Sequence, residues 1–100
     1  MKSITVKELK SLIDSGADFQ LIDVREPYEF EDANINGHLI PLGEIPNRYN
    51  EINKDNQVIV QCRSGARSAN AIHFLEQNFG FTNLYNLEGG ILAWLNEYEN

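Results

Sequence analysis

Apolar residues fall along this chain in two alternating rhythms. Val6, Leu9, Leu12 and Ile13 recur at the spacing of one helix face. Thr5 and Glu8 stand three apart just before them, the spacing of a capping box, and Gly16 follows as a stop. The run Phe19 to Val24 is short, continuous and apolar, and it reads as a strand. Pro27 suits the first turn of a short helix ending near Asp32. A loop follows with a brief strand at Leu39 and Ile40, then one or two helical turns within GEIPNRYNEI. Gln57 to Gln61, QVIVQ, is the strongest buried-strand signal. Ala69, Ile72, Leu75 and Phe79 form a second helical stripe, beginning near Arg67 or Ser68 and stopping at Gly80. Asn83 to Leu87 is another strand, and GGILAWLNEYE a closing helix, with Leu92, Leu95 and Trp94 expected to pack inward.

Continuous apolar strands separated by helices predict an α/β domain spanning residues 1–100, a small parallel sheet flanked by helices on both faces. Such sheets bind ligands beyond the carboxyl ends of their strands. Cys62 directly follows the most apolar strand, so it falls where a site is expected.

Charge narrows the function classes. Fifteen acidic residues against eight basic ones give a net charge of -7, which argues against nucleic acid and against an anionic membrane surface as partners. A single cysteine forms no intrachain disulfide, no apolar leader is visible in MKSITVKELK, and no stretch is apolar enough to span a bilayer. A cytoplasmic protein is the expectation.

The stretch after that strand is Cys62-Arg63-Ser64-Gly65-Ala66-Arg67-Ser68. A lone cysteine behind a buried strand is ordinarily a small core residue. Two arginines flanking it are foreign to a core, because arginine is rarely buried unpaired. Small residues between them let backbone amides converge on the sulfur, and the following helix adds its positive end. Such surroundings favour thiolate over thiol. On this reading the arginines both activate the sulfur and attract an anionic reactant.

With that loop in view, the chain resembles the rhodanese-like sulfurtransferases. CRSGARS resembles their active-site loop. LIDVREPYEFEDANINGHLIPLGEIP looks like their first block, and NLYNLEGGILAW like their closing Gly-Gly-x-x-x-Trp block. The blocks occur in family order, and the chain is similar to the members with one domain. The resemblance implies that Cys62 attacks the outer sulfur of thiosulfate or a similar anionic donor, holds it as a persulfide, and yields it to cyanide or a thiol. Arg63, Ser64, Gly65, Ala66 and Arg67 would supply amides and charge to the persulfide and the departing oxyanion. No cofactor and no metal is implied.

Two rivals remain. Cysteine-dependent phosphatases and arsenate reductases of related fold use a longer loop than the four residues between Cys62 and Arg67. Alternatively the domain relays a persulfide to an acceptor protein, or serves as a protein-binding module.

Other residues read as structural. His38 is expected to pin a loop, and His73 to sit at a helix boundary. Asp23, Arg25 and Glu29 are expected to form an ion-pair network. Gly89 and Gly90 lack the Lys and Ser/Thr of a phosphate loop and read as backbone freedom at the start of a helix.

Overall fold

The computed structural model describes residues 1–98. Its sheet is built from β1 (Ser3–Ile4), β2 (Phe19–Asp23), β3 (His38–Leu39), β4 (Gln57–Gln61) and β5 (Leu84–Leu87), in the order β1-β5-β4-β2-β3. Every pairing is parallel. Five α-helices connect and close it: α1 (Val6–Ser15), α2 (Pro27–Asp32), α3 (Ile45–Arg48), α4 (Ala66–Phe79) and α5 (Gly90–Tyr98).

The central position of β4 follows from its residues. Val58, Ile59 and Val60 are all fully buried, because side chains on both faces of this strand meet helices. Val58 and Val60 join Leu84, Ala71, Ile72 and Leu75 in the core beneath α4. Ile59 points the other way, to Leu9 of α1, Leu87 and Trp94 of α5. Burying each such aliphatic side chain contributes about 1.5–3 kcal/mol, so β4 anchors both halves of the core.

The capping box at α1 forms as its spacing predicts. Thr5 Oγ1 accepts from the Glu8 N–H at 3.1 Å, and Glu8 Oε1 accepts from the Thr5 N–H at 2.9 Å. Both long helical stripes occur, with three departures. Ile13 is 41% exposed and borders a surface groove with Phe19 and Ile35 instead of the sheet. Helix α4 begins at Ala66, a residue before the expected start, because Gly65 at φ 110° caps it directly. In α5 it is Ile91 and Trp94 that turn inward, while Leu92 is 42% exposed and Leu95 half-buried. The inward placement expected of Leu92 is therefore wrong. Its reason is tertiary: the first turn of α5 is hydrogen-bonded to the loop after β4, which fixes the helix's rotation.

β1 was invisible to the hydrophobic pattern. Two residues carry no periodicity; the strand exists because Asn86 and Glu88 N–H groups reach Lys2 and Ile4 carbonyls at 2.9 Å. Among the described residues, no helix is long and apolar enough to cross a membrane.

Candidate active site

Cys62 leaves the end of β4 and is 1% exposed. The chain then turns through Arg63 and Ser64 to Gly65, whose positive φ lets the loop fold back and aim its amide at the sulfur. The Gly65 N–H lies 3.1 Å from Cys62 Sγ. Ser68, one turn into α4 and fully buried, places its Oγ 3.4 Å from the same sulfur. Burial pushes the Cys62 thiol up, but hydrogen bonding from the Ser68 side chain and from the Ser68, Gly65 and Ser64 backbone outweighs it. The pKa is lowered. These are the converging dipoles that small loop residues permit.

The arginines differ from expectation. Arg67 does not stand as a free charge: its Nη1 and Nη2 reach Glu29 Oε1 and Oε2 at 2.7 and 2.9 Å, a two-pronged pair. That pair holds the Glu29 carboxyl at about 2 and lifts the Arg67 guanidinium above its usual value. Arg63 is the opposite case. It is exposed, and its guanidinium has no hydrogen-bond or ion-pair partner among the described residues. It borders a cleft of about 410 Å³ whose walls include Tyr28, Glu29, Asp32, Ile91, Leu92 and Leu95. Burial is the largest single influence on the thiol, hydrogen bonds together outweigh it, and the unpaired positive charge belongs to Arg63.

The expected Asp23–Arg25–Glu29 network is real but differently wired. Asp23 and Arg25 are both buried, with Arg25 Nη2 at 2.8 Å from Asp23 Oδ2 and Nε at 3.0 Å from Oδ1. Arg25 also donates to the Glu29 and Ala33 carbonyls at 3.3 and 2.8 Å, pinning the carboxyl end of α2. The Glu29 carboxylate itself turns to Arg67, and its Oε1 accepts from the Glu26 N–H at 3.0 Å. α2 is thereby tied both to the sheet and to α4.

Gly90 is a close-approach position, not a flexible one. At φ 58°, it lies so near the loop that a Cβ would sit 2.5 Å from the Cys62 and Arg63 carbonyl oxygens. Those carbonyls accept from the Ile91 and Leu92 N–H groups at 2.9 and 3.1 Å, which satisfies the start of α5 and fixes the loop. His38 Nε2 is 2.7 Å from Glu51 Oε1, pinning a loop as expected, and His73 is exposed. No cluster of metal-ligating side chains occurs among the described residues.

Sequence reasoning missed Ser68 and Asn86. Ser68 follows the loop by one residue, and its hydroxyl could have been suspected from that proximity. Asn86 is on β5, and nothing in the sequence announces that its Oδ1 accepts from Ser68 Oγ at 2.6 Å.

Comparison with known proteins places this architecture in a family. The Rhodanese-like domain family matches residues 5–97. A protein named Sulfurtransferase from Allochromatium vinosum is 39% identical over 95 residues, covering 94% of this chain and 88% of that one. The putative sulfurtransferase YtwF of Bacillus subtilis is 37% identical over 98 residues, covering 97% and 93%. The crystal structure of a rhodanese-like domain protein from Staphylococcus aureus superposes with a TM-score of 0.85 at 39% identity, covering 94% and 91%. The chain belongs to the rhodanese-like family.

Proposed function

We propose that the protein is a sulfurtransferase in which Cys62 carries sulfane sulfur from thiosulfate or a similar anionic donor to cyanide or a thiol. The observation that carries this reading is the sulfur itself: a cysteine with a lowered pKa, enclosed by the Gly65 N–H at 3.1 Å and the Ser68 hydroxyl at 3.4 Å. The sulfurtransferase names of close relatives support the same chemistry.

The steps balance as two displacements. The Cys62 thiolate attacks the outer sulfur of the donor. An S–S bond forms, the donor's S–S bond breaks, and its electron pair leaves with sulfite. The enzyme then holds a persulfide whose terminal sulfur is anionic. The Ser64, Gly65 and Ser68 amides favour the thiolate and would receive that charge. An acceptor nucleophile attacks the terminal sulfur, and the Cys62 thiolate is the leaving group, so no general base is required. Arg63 supplies the unpaired positive charge that draws in the anionic donor, while Arg67, held by Glu29, braces the loop. Ala66 opens α4 without side-chain bulk beside the cradle. Close enclosure of the sulfur favours transfer of a single atom over attack on a bulky phosphoryl group. The cleft beside Arg63 is where an acceptor would approach.

Cys62→Ser should abolish thiosulfate:cyanide sulfur transfer while leaving the circular dichroism spectrum and unfolding transition close to wild type. Retained transfer in that variant would contradict the reading.

A further inference from the structure

Ser68 Oγ has one hydrogen and three neighbours that could accept it: Asn86 Oδ1 at 2.6 Å, the Gly65 carbonyl at 3.1 Å and Cys62 Sγ at 3.4 Å. The Gly65 carbonyl is already supplied, by Asn86 Nδ2 and by the Ala69 N–H, each at 3.1 Å. The real choice lies between an amide oxygen and a sulfur. The amide's orientation is fixed as well: turning Asn86 over would set its oxygen against the Gly65 carbonyl and remove a donor.

We propose that Asn86 and Ser68 form a hydroxyl switch that governs the charge on Cys62, with Ser68 favouring the thiolate and Asn86 opposing it. The inference rests on Cys62 being the reactive nucleophile. In the thiol state, the Cys62 S–H donates to Ser68 Oγ and the Ser68 O–H donates to Asn86 Oδ1. On ionisation the thiol proton leaves to solvent, and the Ser68 hydroxyl rotates onto the sulfur. Asn86 Oδ1 then gives up its hydrogen bond. No heavy atom has to move. Once the negative charge sits on the outer sulfur of a persulfide, Cys62 Sγ no longer competes, and the hydrogen returns to Asn86. The pair therefore tempers the resting thiolate and rewards passage of charge outward to the loop amides.

The charged groups around the sulfur are Arg63 in the loop, Arg67 on α4, Glu29 of α2, which is bound to Arg67, and the buried Asp23–Arg25 pair at the end of β2, beside β4. Arg67 feels the charge of Cys62. β5 and the first turn of α5 carry no charged residue. An effect of Asn86 on the thiol therefore does not act through a nearby charge on its own strand.

The test is the pH profile of Cys62 alkylation by iodoacetamide, with thiolate absorbance followed in parallel. Ser68→Ala should move the midpoint up and slow alkylation roughly tenfold at a pH below it, the loss expected for one hydrogen bond to a charged group. Asn86→Ala should move the midpoint down and speed alkylation severalfold. Opposite signs are the signature, since mere loosening of the loop would raise both. An unmoved midpoint in Ser68→Ala, or an unmoved or raised one in Asn86→Ala, overturns the switch. If either variant fails to fold, the unmodified protein still decides: the Asn86 side-chain amide resonances should titrate with the sulfur's midpoint, and resonances that stay fixed overturn the proposal. Alkylation is read without any sulfur donor, so failure of persulfide formation and failure of the switch are separate results.

Discussion

Replacing Glu29 by glutamine removes a charge from the Glu29–Arg67 pair while keeping an oxygen that can accept from the Glu26 N–H. Glu29 is held at about 2 in the folded chain against 4.5 for an unconstrained carboxyl, chiefly by its hydrogen bonds from Arg67. At 1.36 kcal/mol per pH unit, that displacement sets a ceiling of about 3.4 kcal/mol. The Arg67 side chain is 33% exposed and Glu29 14%. Solvent screening therefore reduces the expected contribution to about 1–2 kcal/mol. Because the folded value is depressed, the stabilisation is fully present above pH 4.5 and is lost as pH falls from there toward 2. Urea unfolding of wild type and Glu29→Gln should show the full gap at neutral pH, with an unchanged m-value. Under half of the gap should remain at about pH 3, as the linkage requires. A gap constant across that range, or absent at neutral pH, would refute the assignment of Arg67 to Glu29 and return Arg67 to the list of free charges near the sulfur.

Other outcomes follow from the loop. Arg63→Ala should lower the second-order rate of persulfide formation from thiosulfate roughly tenfold, with the difference from wild type shrinking as ionic strength rises. A rate insensitive to the substitution would deny Arg63 its role in donor capture. Gly90→Ala puts a methyl group into the Cys62 and Arg63 carbonyls at a positive φ, and should cost about 2 kcal/mol or more. Thermal unfolding unchanged in that variant would show that α5 can pull back from the loop freely.

Much of the fold was legible because its strands are local signals. QVIVQ is β4 residue for residue, and the Thr5–Glu8 spacing is realised as two hydrogen bonds. Parallel pairing follows from the alternation with helices. What the sequence could not reveal was long-range partnership. Arg67 finds Glu29 thirty-eight residues away, and Ser68 finds Asn86 eighteen away. Spacing along the chain records neither. The misplacement of Leu92 has the same origin: the helix's rotation is set by carbonyls of Cys62 and Arg63, not by its own apolar pattern. At the site, the cysteine, its small-residue loop and the convergence of amides were readable, because they occupy one contiguous strand–loop–helix segment. The division of labour between the two arginines was not.

The central claim is that Cys62 accepts a single sulfur atom, and the intact mass of the protein after exposure to thiosulfate tests it most directly. A gain of one sulfur, removed by cyanide and absent from Cys62→Ser, is the predicted result. An unchanged mass in wild type, or the same gain in the serine variant, would contradict it.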